Sequence, residues 1–171
     1  PSINRNRIYL NKGVRSGLSA LFNVYNDKKW LLPSDIYPVY QVMASNASID
    51  HKTYNALSVS TTPLDASSPT HNLFNGRYCY DVMNQLASND VDIIVITDPS
   101  PFGQNLNGKM IGQLLRWLKA KDARRVVIDA VYCTLIRHEF HILLETEKVY
   151  ILTSLSKSHA LPLHYGIIIT P

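Results

Sequence analysis

Lys157 stands in a setting that could give its amine chemistry. The run Val149-Tyr150-Ile151-Leu152-Thr153-Ser154-Leu155-Ser156-Lys157 reads as a buried strand that stops in a hydroxyl-rich turn. Burial at a strand mouth disfavours the charged ammonium and makes the amine more available as a nucleophile. Such an amine condenses with an aldehyde, and serines beside it donate hydrogen bonds to a phosphate. A Ser-x-Ser-Lys tetrapeptide arises by chance, and the plain alternative is a lysine extending from a strand end into water. The earlier run Val126-Val127-Ile128-Asp129-Ala130-Val131-Tyr132 supplies an acid and a phenol at a second strand end. Each has its own plain alternative: Asp129 as a helix cap, Tyr132 as a core aromatic with its hydroxyl satisfied.

Positioning these groups requires one core. A chain of 171 residues, 46% hydrophobic and 18% charged, is long enough for a single domain over 1–171 and short for two. The net charge of +4 is modest, and the basic residues form no stripe interleaved with aromatics, so no nucleic-acid partner is expected. No apolar run reaches membrane-spanning length, so no membrane partner is expected either. Cys79 and Cys133 lack metal-ligand or CxxC spacing; no metal site is expected, and two reduced thiols suit a cytoplasmic protein. The chain opens on Pro1 and closes on Pro171 just past a strand, which suggests part of a larger polypeptide.

Periodicity places the elements. Ile8-Tyr9-Leu10 is a short strand ending at Asn11-Lys12-Gly13, and Val14, Leu18, Leu21, Phe22 and Tyr25 recur at helical steps. A strand, glycine turn and helix in that order point backbone N–H groups at an anion, although an ordinary βα turn looks the same. Lys29–Pro33 is a strand whose exit carries Tyr37 and Tyr40. Tyr37 suits stacking on a flat heterocycle, and both rings equally suit packing at the start of a helix running to about Ala47. Tyr54–Ser60 suits an edge strand, 61–70 an irregular loop, and Tyr80–Asn89 a helix. Val91–Thr97 and Arg125–Asp129 are β-branched runs typical of strands buried on both faces. Leu106–Ala120 is a helix with Ile111, Leu114, Leu115 and Leu118 inward; Glu147–Thr153 and Tyr165–Thr170 are the last strands. The alternation predicts an α/β domain with a mostly parallel sheet. Gly13, Tyr37, Asp98, Ser100, Asp129, Tyr132, Ser154 and Lys157 then all fall at the carboxyl edge, where ligands of such sheets gather.

The ordered set resembles the large domain of the fold-type I pyridoxal-phosphate enzymes, the aspartate aminotransferase superfamily. The resemblance spans nearly the whole chain and rests on Gly13-Val14-Arg15, Tyr37 in PSDIYPVY, Asp129-Ala130-Val131-Tyr132 and Ser154-Leu155-Ser156-Lys157. It implies a three-layer α/β/α sandwich on a seven-stranded, mostly parallel sheet with the last strand antiparallel. It implies pyridoxal 5'-phosphate bound as a Schiff base on Lys157, with Asp129 at the pyridine nitrogen and Tyr132 at the ring phenolate oxygen. By the same resemblance Tyr37 stacks on the ring, while Gly13, Val14, Arg15, Ser154 and Ser156 hold the phosphate. The implied activity is transamination between small-molecule amino donors and acceptors, in a homodimer. A lyase or decarboxylase on the same fold, or a domain retained only for binding, are the alternatives.

Two departures from the family pattern stand out. Ser100 in Ser100-Pro101-Phe102-Gly103 takes the place of an asparagine that reaches the ring oxygen. The span 158–165 lacks the family's phosphate-clamping arginine; His164 and Arg15 are the nearest other sources of positive charge. The family's smaller domain, which carries the arginine that reads the substrate carboxylate, has no counterpart in these residues.

Overall fold

The β-branched runs pair side by side in the computed structural model. It describes residues 7–60, 77–80, 86, 90–101, 103, 105–133, 137–158 and 165–171; side chains at 57–60, 77–80, 157 and 158 lie outside that description. The elements are β1 (Ile8–Asn11), α1 (Val14–Val24), β2 (Trp30–Pro33), α2 (Val39–Asn46), β3 (His51–Tyr54), β4 (Leu57–Ser60) and β5 (Arg77–Tyr80). They continue with β6 (Ile93–Thr97), α3 (Gly108–Ala120), β7 (Arg125–Asp129), α4 (Phe140–Leu144), β8 (Val149–Ser154), α5 (Leu155–Ser158) and β9 (Gly166–Ile169).

Seven strands form one sheet in the order β1-β9-β8-β7-β6-β2-β3. The strands β3, β2, β6, β7 and β8 pair in parallel, and β9 runs antiparallel to both β8 and β1. The last strand is therefore the antiparallel one, as expected. Alternation along the central strands builds two cores. Ile94, Ile96, Val126, Ile128 and Ile151 pack with α3 and α4 on one face. On the other, Ile93, Val95, Val127 and Leu152 meet Leu18, Phe22 and Tyr40 of α1 and α2. Helices on both faces make the three layers, and burying each large apolar side chain contributes roughly 1.5–3 kcal/mol.

One expected strand divides. Tyr54 ends the edge strand β3, and its hydroxyl donates to the Val95 carbonyl at 2.8 Å. At Asn55 the chain leaves the sheet. The Ala56 N–H is held by Asp35 Oδ1 at 2.9 Å, and Leu57–Ser60 pairs with Arg77–Tyr80 as a separate two-stranded ribbon. Tyr80 thus belongs to β5 rather than to a helix. Most of the helix expected through Asn89, the loop 61–70, and His164 lie outside the described residues.

The carboxyl ends of β6, β7 and β8 (Thr97, Asp129 and Ser154) come to one edge, joined there by the turn after β1. Gly166 lets that turn approach closely. A Cβ at Gly166 would lie 2.5 Å from the Gly13 Cα and 2.7 Å from the Thr153 carbonyl oxygen. Gly13 itself holds φ +93°, a left-handed value that favours glycine.

Candidate active site

A cavity of about 370 Å³ opens at this edge, within the roughly 300–1,000 Å³ span of small-molecule sites. Gly13, Val14, Arg15, Tyr37, Asp129, Tyr132 and Ser154, all singled out above, line it. Residues more than a hundred positions apart in sequence therefore share one space.

Asp129 lies at its base, 3% exposed. The Val131 N–H donates to its Oδ1 at 3.0 Å, and the Tyr40 hydroxyl donates to its Oδ2 in a short hydrogen bond. Burial pushes the carboxyl up to about 6, with the Tyr40 and Val131 bonds opposing it. Tyr40 is itself buried, and burial followed by the nearby Asp129 charge keeps its phenol protonated far above the usual range. That single proton goes to Asp129, so the Thr97 hydroxyl, 3.1 Å from the Tyr40 oxygen, is the donor in the second bond. Tyr40 suits packing by its place at the start of α2; here its buried ring packs and its hydroxyl also braces the acid. Thr97 was not singled out, and its signal was only its place at the end of β6.

The turn after β6 is held from the opposite face. Asp98 is fully buried; the Arg137 Nη1 donates to both its oxygens at 3.0 and 2.9 Å, and the Leu106 N–H donates to Oδ2 at 2.8 Å. Burial pushes this carboxyl up, while the backbone bond and the guanidinium pull it back. Consecutive residues point to opposite sides of a strand. Thr97 faces Tyr40 and Asp98 faces Leu106, so Thr97, rather than Ser100, reaches the cavity. Ser100 is buried in the turn, where its carbonyl accepts from the Gly103 N–H at 2.9 Å, and it does not line the cavity.

The other wall is wetter. Helix α1 begins at Gly13 with no side-chain cap and no acid in its first turn. Its first N–H groups have no partner within the helix, and their partial positive charge suits an anion. Lys12 and Arg15, both exposed, line the same side. The Arg15 Nε donates to the Tyr37 hydroxyl at 2.9 Å and its Nη2 makes a second, shorter bond to the same oxygen. Tyr132 lies at the rim, 49% exposed. Ser154 is buried and its Oγ lies 2.7 Å from the Ser156 Oγ, so Ser156 reaches the cavity only through Ser154. Lys157 falls in α5, directly after β8; its side chain lies outside the described residues.

The set of groups lining the cavity suits a phosphorylated aromatic cation: a buried acid, an uncapped helix start with two cations beside it, and aromatic rings. Among the described residues no helix is long and apolar enough to cross a membrane.

No protein-family model matches the chain, and no curated protein matches it in sequence. Solved structures do match in fold. A pyridoxal-phosphate-bound C-S lyase from Staphylococcus hominis superposes with a TM-score of 0.75 at 16% identity, over 99% of this chain and 42% of that one. The histidinol-phosphate aminotransferase from Clostridium acetobutylicum gives 0.72 at 17%, over 96% and 45%. The L-threonine-O-3-phosphate decarboxylase from Porphyromonas gingivalis gives 0.66 at 15%, over 98% and 45%. The chain spans less than half the length of these proteins. Its seven-stranded sheet, helix layers and single antiparallel strand are the fold of the large domain of fold-type I pyridoxal-phosphate enzymes.

Proposed function

We propose that this chain is the cofactor-binding domain of a pyridoxal-phosphate-dependent enzyme acting on an amino acid or related amine. The observation that carries the reading is that one cavity is lined both by the buried Asp129 and by the uncapped start of α1. When bound, pyridoxal 5'-phosphate supplies an electron sink for carbanion chemistry at the substrate α-carbon. Asp129 holds a proton at the pyridine nitrogen, and Tyr40 and Thr97 keep its carboxylate aimed there. Tyr37 would cover the ring face and Tyr132 would donate to the ring oxygen; both line the cavity. Ser154, supported by Ser156, and the backbone N–H groups of Val14 and Arg15 would hold the phosphate; the Gly13 N–H is engaged by Asn11 Oδ1 at 3.0 Å, which fixes the turn beneath it. Lys157 would anchor the cofactor through its amine and would be the group that moves the proton at the substrate α-carbon.

Transamination is the reaction proposed within that class. Lyase and decarboxylase chemistry use the same groups, and solved structures of the same fold include both kinds of enzyme. Adding pyridoxal 5'-phosphate should produce an absorbance band above roughly 400 nm that is lost on borohydride reduction and in Lys157→Ala. A protein that stays colourless is a binding domain without catalysis. With an amino acid added, a keto acid formed in one-to-one yield with aminated cofactor supports transamination. Release of ammonia, sulfide or carbon dioxide assigns a lyase or decarboxylase instead.

A further inference from the structure

The span after Lys157 has no arginine to clamp a phosphate, yet an arginine does face this cavity from another element. Arg15 is at the second position of α1, and both guanidinium nitrogens that make hydrogen bonds give them to one neutral acceptor, the Tyr37 hydroxyl. Its carbon lies 5.7 Å from the centre of the Tyr37 ring. Among the described residues no carboxylate forms an ion pair with Arg15; Arg116, Arg124 and Arg125 share that lack, but Arg15 is the arginine that lines the cavity. A phenol is a weak substitute for an anion at a guanidinium fork. Phosphate offers the fork an ionised partner and two oxygens in bidentate geometry, where the phenol offers one neutral oxygen.

We propose that Arg15 is the phosphate-holding cation of this site, and that Tyr37 holds its guanidinium until a phosphate monoester displaces the phenol. The exchange has two effects on one ligand. The fork passes from a neutral oxygen to phosphate oxygens, and the Tyr37 ring, freed from Arg15, settles on the ligand's aromatic face. The phosphate and the ring are thereby sensed together. This inference rests on the cofactor reading above and adds the residue that replaces the missing clamp.

The test compares binding of pyridoxal 5'-phosphate and of pyridoxal, which lacks the phosphate, by absorbance titration and calorimetry. Wild type should prefer the phosphorylated form, and Arg15→Gln should reduce that preference by about 10- to 100-fold. Arg15→Lys, which keeps the charge without the fork, should recover part of it. Tyr37→Phe keeps the ring and removes the competing hydroxyl, so it should tighten binding of inorganic phosphate several-fold. Thermal melts of each variant report that the exposed substitutions leave the fold intact. Unchanged discrimination in Arg15→Gln, or a loss seen in Lys12→Gln instead, overturns the proposal and leaves the cofactor reading in place. Weaker phosphate binding in Tyr37→Phe overturns the displacement by Tyr37. Wild-type protein that binds neither compound overturns the cofactor reading and this proposal with it.

Discussion

The two walls of the cavity hold charge in different ways. On the Asp129 wall the polar groups are buried and fastened by neighbours from other elements, Tyr40 from α2 and Thr97 from β6, together with the adjacent Val131 backbone. On the Arg15 wall the cations are exposed, and the contact between α1 and the Tyr37 turn is made by an exposed side chain. The difference follows from what each must do. An acid that is to hold a proton at a fixed ring atom gains from a dry, rigid site that moves its pKa. Cations that admit an anion from water gain from staying hydrated and movable, although their attraction is then screened by salt.

If the dry wall depends on cross-bracing, removing a brace should cost stability. The largest effect is expected at Arg137, because Asp98 is fully buried against it. Arg137→Met leaves that charge unpaired and should cost about 3–5 kcal/mol in denaturant unfolding. The pair Asp98→Asn with Arg137→Met should recover a good part of the loss.

The next effect concerns pH. The Asp129 carboxyl is at about 6 in the folded chain against an ordinary 3.8, so the folded state binds its proton more tightly than the unfolded state. The buried charge therefore disfavours folding above about pH 6, and that penalty fades as pH falls through 6 toward 4. Cofactor-free wild type should gain on the order of 2–3 kcal/mol relative to Asp129→Asn over that window. Equal slopes in urea melts of the two proteins would contradict the dry-wall account.

A smaller change is expected at the brace itself. Tyr40→Phe removes a bond that holds the Asp129 charge, so the carboxyl pKa should move above its present value and stability near neutral pH should fall by about 1–2 kcal/mol. Carboxyl-carbon NMR reads the first and chemical unfolding the second. The smallest is on the wet wall, where Arg15→Gln should change stability by less than about 0.5 kcal/mol while altering ligand choice.

The sequence made the sheet legible because strands such as Ile93–Thr97 and Arg125–Asp129 are buried on both faces and carry no polar alternation to blur the reading. The resemblance placed the Asp129, Tyr132, Tyr37 and Gly13 positions around one site by their order, and the fold gathers them around one cavity. What stayed hidden depends on contacts between distant positions. Nothing local to Tyr40 says that its hydroxyl meets a carboxylate 89 residues away, and nothing near Asp98 announces Arg137, 39 residues on. Ser100 was expected at the ring because it stands in the asparagine's place; it is buried in the turn and is not among the residues that line the cavity. The break at Asn55 was missed because β-propensity continues on both sides of it.

The central claim is that Asp129 holds a proton at a pyridine nitrogen in this cavity. The most direct measurement is the 15N shift of ring-labelled pyridoxal 5'-phosphate bound to wild type and to Asp129→Asn at about pH 8, where a free carboxylic acid is ionised. The account predicts a protonated-nitrogen shift in wild type that moves to the unprotonated value in the variant. The same shift in both proteins would contradict it.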